Sequence, residues 1–278
     1  MTRKYGLHKC LQFGLAGLLG CLIVSILTAK TQAQQSNIVP DNTLASESSQ
    51  VIGNFQGHSN LGQGNAGNII IDARENVLFD GANAYSGIGN EAVGNAGNIS
   101  IKAGLVSLSN NTYMSASTSG RGNAGIININ ARDSVSFDQK SYAYSLTTTE
   151  GIGKSGNVNI NASDTVHFDG ANSAAFSISG AGTVAKAGGI NITTGLLSVT
   201  NGAFLTTSIL GQGDAGNVSI DARDTVVFDG IGSNGLNSAA PTPFKGAVEM
   251  SKLTRKVSSV SKRVQSQLKK AILLPVPN

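Results

Sequence analysis

Tryptophan is absent from this 278-residue chain, and aromatic residues make up only 5% of it. A compact globule fills its centre with large side chains, so this composition favours a thin core repeated along an axis. Cysteine is restricted to Cys10 and Cys21, both inside an N-terminal apolar stretch. A chain that sheds that stretch on export keeps no thiol, which excludes a disulfide framework and a cysteine-based metal site. Beyond it only two histidines occur, His58 and His167. No complete Gly-x-x-x-x-Gly-Lys-Ser/Thr phosphate loop, His-Glu-x-x-His pair or Ser-His-Asp constellation is present. The Gly-Asn-Ala-Gly segments lack the strand–loop–helix setting of a nucleotide site. Neither an enzyme nor a bound cofactor is therefore expected.

The formal net charge of +4 is unevenly placed. Residues 1–33 carry Arg3, Lys4, Lys9 and Lys30 and no acid, while residues 240–278 carry 8 basic groups against Glu249 alone. Between them, residues 34–239 hold 8 basic and 15 acidic residues, a net of −7. Nucleic-acid binding needs a basic face, so no nucleic-acid partner is expected for this middle region.

The basic start is followed by an apolar run over 11–27, and then by Thr31 and Ala33 ahead of Gln34. Small residues three and one before a cut mark a secretory signal, with cleavage expected between Ala33 and Gln34. An uncleaved anchor is the alternative, because the run is close to the shortest span of a bilayer. A lipoprotein reading at Cys21 is weaker, since apolar residues continue after it.

What the chain has in abundance is glycine, 35 residues of it, and a repeat. Six segments align: GNAGNIIIDARENVLFDG from Gly64, GNAGNISIKAGLVSLSNN from Gly94, GNAGIININARDSVSFDQ from Gly122, GKSGNVNINASDTVHFDG from Gly153, AKAGGINITTGLLSVTNG from Ala185 and GDAGNVSIDARDTVVFDG from Gly213. Two subtypes alternate as A-B-A-A-B-A. The B copies, from Gly94 and Ala185, reach their second apolar pair one residue early, which predicts a local bulge. In every copy apolar residues alternate, as in Ile69 and Ile71 followed by Val77 and Phe79. Period-two alternation of β-branched residues predicts short half-buried strands, and a looser third strand is expected at 114–118 or 204–208. Each copy has one apolar face that it cannot bury alone. Stacking equivalent strands about 4.8 Å apart buries a continuous column. The spacing therefore predicts a parallel β-helix of about six coils, against an antiparallel sandwich as the alternative. Asn68, Asn98, Asn157 and Asn217 fall at one turn, where side-chain hydrogen bonds along the axis are expected.

The units GNVSIDARDTVVFDG and GGINITTGLLSVTNGAFLTTS resemble the repeats of cyanobacterial filamentous-haemagglutinin-like exoproteins of two-partner secretion. Residues 37–52, NIVPDNTLASESSQVI, resemble the opening of that family's secretion domain. The resemblance implies a right-handed β-helix, export through an outer-membrane two-partner-secretion transporter, and an adhesive role toward a cell-surface or polysaccharide ligand. The implied location is secreted or on the outer-membrane surface, with the periplasm as the alternative. The organisation expected is a signal peptide over 1–33, a remnant of the secretion-domain opening with a linker over 34–63, β-helix repeats over 64–238 and a basic tail over 239–278. A non-functional fragment of a longer exoprotein is a further alternative, because the array is short and lacks the family's Asn-Pro-Asn-Gly segment.

In the tail, Met250, Leu253, Val257, Val260, Val264, Gln267, Ala271 and Leu274 fall at alternating steps of three and four among basic residues, the pattern of an amphipathic helix. It reads as a membrane-surface helix, as a cap on the last coil, or as the product of a shifted reading frame. Asp80, Asp138, Asp169 and Asp229 recur at one offset. They are weak candidates for calcium, since stacked carboxylates suit a hard cation, but Asp before Gly also closes a tight turn. Asp138 and Asp169, on adjacent A copies, are the candidate acids of an alternative polysaccharide-active β-helix enzyme. His167 reads as an outward surface residue, since no partner recurs with it.

Overall fold

A computed structural model describes residues 62–148, 152–180, 183 and 186–229, and the backbone alone at 42–46, 50–52, 55–60 and 234–239. The signal segment and the basic tail lie outside the described residues.

The alternation becomes strands in every copy. The first copy forms β4 (Ile69–Ala73), β5 (Asn76–Asp80) and β6 (Ala84–Ile88), and the second forms β7 (Ile99–Ser109) and β8 (Tyr113–Thr118). The third gives β9 (Ile127–Asp138) and β10 (Tyr142–Thr147), and the fourth β11 (Val158–Ala162), β12 (Thr165–Asp169) and β13 (Ala174–Ser179). The fifth and sixth give β14 (Ile190–Thr200), β15 (Phe204–Ile209), β16 (Val218–Asp229) and β17 (Asn234–Ala239). Ahead of them β1 (Asn42–Ser46), β2 (Gln50–Ile52) and β3 (Phe55–Asn60) stack on β4, β5 and β6, adding a layer below the first recognisable copy.

Every strand pairing is parallel, each strand with its equivalent one layer away. The fold is a parallel β-solenoid, not an antiparallel sandwich. One sheet of 10 strands holds the two apolar pairs of each copy, and a facing sheet of 7 strands, in the order β17-β15-β13-β10-β8-β6-β3, holds the third strands. Register is residue for residue: Ile69 pairs with Ile99, Ile99 with Ile127, Ile127 with Val158, Val158 with Ile190 and Ile190 with Val218. The B-type bulge is present as a register shift between Ala103 and Leu105, and again between Thr194 and Leu196.

The two inner faces differ. The larger sheet contributes Ile, Val and Phe, nearly all fully buried, and burying each stabilises by about 1.5–3 kcal/mol. The smaller sheet turns Ala, Ser and Thr inward. Its hydroxyls meet the backbone of the Gly-x-Ala/Ser-Gly turns. Ser86 Oγ donates to the Gly67 carbonyl (2.7 Å) and accepts from the Gly97 N–H (3.0 Å). Ser145 accepts from the Gly156 N–H at 2.7 Å, and Ser177 donates to the Gly156 carbonyl at 2.9 Å. Two inward hydroxyls, those of Thr118 and Thr147, are buried with no hydrogen-bond partner.

The turn motif has a steric cause. Its first glycine, at Gly94, Gly122 and Gly153, has φ of 153, 144 and 159°. A Cβ on its second glycine, at Gly97, Gly125 or Gly156, would collide with the carbonyl of the same glycine one layer below. The asparagines of the motif complete the turn. Asn68 Oδ1 accepts from the Asn98 N–H (2.7 Å), and Asn98 Oδ1 from the Ile126 N–H (2.8 Å). The axial ladder expected at this turn thus runs from side chain to backbone. A side-chain-to-side-chain ladder runs elsewhere, on the outer face, through Asn128, Asn159 and Asn191 at 2.7 and 2.8 Å.

Two outcomes follow for stability. Gly125→Ala is expected to destabilise by about 3 kcal/mol, because two backbones must part, and thermal unfolding reads the loss. Thr147→Val should leave stability unchanged or raise it by about 1 kcal/mol, since it removes an orphaned hydroxyl; a clear loss would mean that the hydroxyl is satisfied.

Candidate functional site

The four recurring aspartates stand at the outer end of the second apolar strand segment, in one axial column. Register places Asp80 beside Ser109, Asp138 beside Asp169, Asp169 beside Thr200, and Thr200 beside Asp229. The column alternates because the copies do. Where a B coil lies above an A coil, hydroxyl and amide donors face the carboxylate. Ser109 Oγ and Asn110 Nδ2 donate to Asp80 Oδ1 at 3.2 and 2.5 Å. Thr200 Oγ1 and Asn201 Nδ2 donate to Asp169 Oδ1 at 2.6 and 2.7 Å. The residue after each of Asp80, Ser109, Asp138, Asp169 and Thr200 has positive φ, 59° at Gly81, 57° at Asn110, 52° at Gln139, 90° at Gly170 and 52° at Asn201. Turn closure is therefore a real duty of this segment, and Asn serves it because its side chain tolerates that backbone.

The order A-B-A-A-B-A leaves one place where two A coils are neighbours. There Asp138 and Asp169 sit side by side, both half-buried, with no hydroxyl layer between them. His167 lies two residues before Asp169 on the same outer face, and its Nε2 is 3.8 Å from Asp138 Oδ1. Its slot is taken by Leu78, Ser107, Ser136, Ser198 and Val227 in the other copies. Asp138, His167 and Asp169 offer ligand atoms within 4.8 Å of one another. Asp80 and Asp229 are separated from this group by the Ser109 and Thr200 layers, so the four candidate aspartates do not converge on one centre. The Asp169 carboxyl is held below the usual carboxylate range. The Thr200 hydrogen bond is the main cause, burial opposes it, and Asn201 and His167 add to it. Chemically the group offers two carboxylates and an imidazole on a flat, solvent-facing sheet.

Position alone marks His167 in the sequence: it is two residues from a column aspartate on a period-two strand. Its partner is not local, and only the register of adjacent A copies supplies it. Arg132 and Arg223 also act across layers. Each pairs with the acid that follows it, at 3.2 Å to Asp133 and 2.9 Å to Asp224. Each also reaches two layers down, to the Arg74 and Ser163 carbonyls at 3.5 and 3.4 Å, over the B-coil glycines Gly104 and Gly195. Asp72 pairs with Lys102 of the next layer at 3.8 Å.

The opposite outer face has another character. Tyr113, Tyr142, Tyr144, Leu146, Phe176, Ile178 and Phe204 point outward from the smaller sheet, half-buried against one another. Tyr144 and Phe176 stack with ring centroids 4.8 Å apart, and Tyr113 and Tyr142 at 6.0 Å. Burial raises the Tyr144 pKa. The strands β6, β8, β10, β13 and β15 carry no Asp, Glu, Lys or Arg. The low aromatic content hides this face, because the few rings are concentrated on it.

Compared with protein-family models, curated proteins and solved structures, the chain finds no match in any of the three.

A pH titration checks the Asp169 environment. A depressed folded pKa contributes stability that is present above the ordinary aspartate value and is lost as pH falls through the folded value. Thr200→Val should move the Asp169 carboxyl resonance transition upward and remove part of that acid-dependent stability; an unmoved transition would show that the hydroxyl does not set it.

Proposed function

We propose that this is a non-catalytic, secreted or cell-surface adhesin-type repeat protein of filamentous-haemagglutinin-like character. One observation carries the reading: an uncharged aromatic and aliphatic strip runs along the axis on one outer face, opposite a face of carboxylates and amides. The strip is half-buried, and its Tyr and Phe rings present apolar bodies, with the Tyr hydroxyls as polar tips, to a partner. The outer columns carry recurring polar and aromatic groups over several layers, which suits an extended cell-surface or polysaccharide partner more than a small substrate. Export through an outer-membrane two-partner-secretion transporter belongs to the same proposal and rests on the sequence resemblance.

A second reading, a β-helix enzyme acting on polysaccharide, is favoured by the side-by-side carboxylates of Asp138 and Asp169. Neighbouring carboxylates are able to divide acid and base duties.

The test uses Tyr144→Ser and Phe176→Thr together. Ser115 and Thr206 already occupy those register positions in neighbouring layers, so the fold tolerates them. Loss of binding to producing cells and to immobilised glycans, with an unchanged circular dichroism spectrum, is the expected result. Cleavage of any glycan in a panel, abolished in Asp138→Asn, would replace the adhesive reading with the enzymatic one. Unchanged binding in the double variant would remove the aromatic face from the function.

A further inference from the structure

We propose that Asp138, His167 and Asp169 form a surface site for one divalent transition-metal ion of the zinc class, built where two A coils adjoin. This site is independent of the adhesive reading.

Like charges directly opposite on neighbouring strands repel. Along the rest of the column a B coil separates the carboxylates and supplies donors to them, Ser109 with Asn110 and Thr200 with Asn201. Between Asp138 and Asp169 that insulation is missing, and an imidazole stands at the diagonal position instead. Serine fills the His167 slot in the layers directly above and below, at Ser136 and Ser198, so strand pairing does not require histidine there.

The donor set selects the ion. Imidazole with carboxylates suits zinc, copper or nickel, whereas calcium takes six to eight oxygens that two aspartates do not supply. Zinc bonds to nitrogen and oxygen are about 2.0–2.2 Å, which places ligand atoms about 3.4 Å apart in a tetrahedron. The 3.8 Å between His167 Nε2 and Asp138 Oδ1 is close to that spacing, and all three ligand atoms lie within 4.8 Å of one another. The side chains of His167 and Asp138 are both partly exposed, which leaves them room to rotate toward a shared ion. Thr200 and Asn201 hold Asp169 from behind, the role of outer partners that orient a ligating carboxylate. Three protein ligands leave the remaining positions to water or to an anionic group of a bound partner.

The experiment titrates the full, untagged chain with zinc and with cobalt, reading thermal unfolding, cobalt visible absorption and the His167 imidazole resonances. One equivalent of zinc should raise the melting temperature, and cobalt should perturb the His167 resonances. His167→Ser, which installs the residue of the adjacent layers, and Asp138→Asn should each weaken binding by at least about tenfold. His58→Ser should bind as the parent does, and calcium should produce no shift. Equal zinc affinity in the parent and His167→Ser, or no response of the parent at saturating zinc, would overturn the proposal. A calcium shift as large as the zinc shift and indifferent to His167→Ser would overturn it too.

Discussion

The constraint on which the rest depends is the approach of one backbone to the next, about 4.8 Å, along the whole perimeter of each coil. Strands meet it without effort. Turns do not, because a turn normally directs side chains toward its neighbours. The Gly-x-Ala/Ser-Gly segment meets it by removing the side chain at the second glycine, where any Cβ would strike the carbonyl below. Its asparagines then place their amide oxygens on the N–H groups of the layer above. Once the turn is fixed, residue-for-residue register follows for both apolar pairs. Identity between copies is therefore a packing requirement, not only a trace of duplication.

Register converts the order of copies into local chemistry. An A coil against a B coil sets Phe79 over Leu108 inside and Asp80 beside Ser109 outside. Two A coils together set Phe137 against Phe168, with ring centroids 4.5 Å apart, and Asp138 against Asp169. The inner contact is favourable and the outer one repulsive at the same junction. The ring pair contributes about 0.5–1.5 kcal/mol beyond its buried area, so the apolar interior supports a charge arrangement that the surface alone would oppose. Thr200, from the next B coil, donates to Asp169 and holds it as the anion, so the like-charge contact persists.

Much of the fold was legible in the sequence because its signals are local and repeated. The alternation of Ile69, Ile71, Val77 and Phe79 fixes the strands, the recurrence of Gly-Asn-Ala-Gly fixes the turns, and the one-residue deficit of the B copies fixes the bulge. Less legible was the inward Ser and Thr set of the smaller sheet. Its alternation is inverted: Tyr142, Tyr144 and Leu146 point outward while Ala143, Ser145 and Thr147 point in. Hydropathy alone would bury the tyrosines. The interior takes the small residues because the turn backbone lies opposite and needs hydrogen-bond partners, as Ser86 and Ser145 supply. The extra layer formed by β1, β2 and β3 was hidden as well, since those strands carry no Gly-Asn-Ala-Gly turn between them.

The candidate site was half legible for the same reason. The aspartates were visible as a recurring offset, and recurrence points to turn chemistry; the residues after Asp80, Asp138 and Asp169 have positive φ. What recurs is explained by the scaffold, so a specific site must be sought where the pattern fails. His167 is such a failure, one imidazole in a slot otherwise filled by Ser, Leu or Val. Alone it has the look of surface variation. It gains a partner only because the two A copies are consecutive, which brings Asp138 within 3.8 Å of its ring. In a solenoid the informative residues are those that break a column, and their chemistry is set by the layer beneath them, not by their neighbours in sequence.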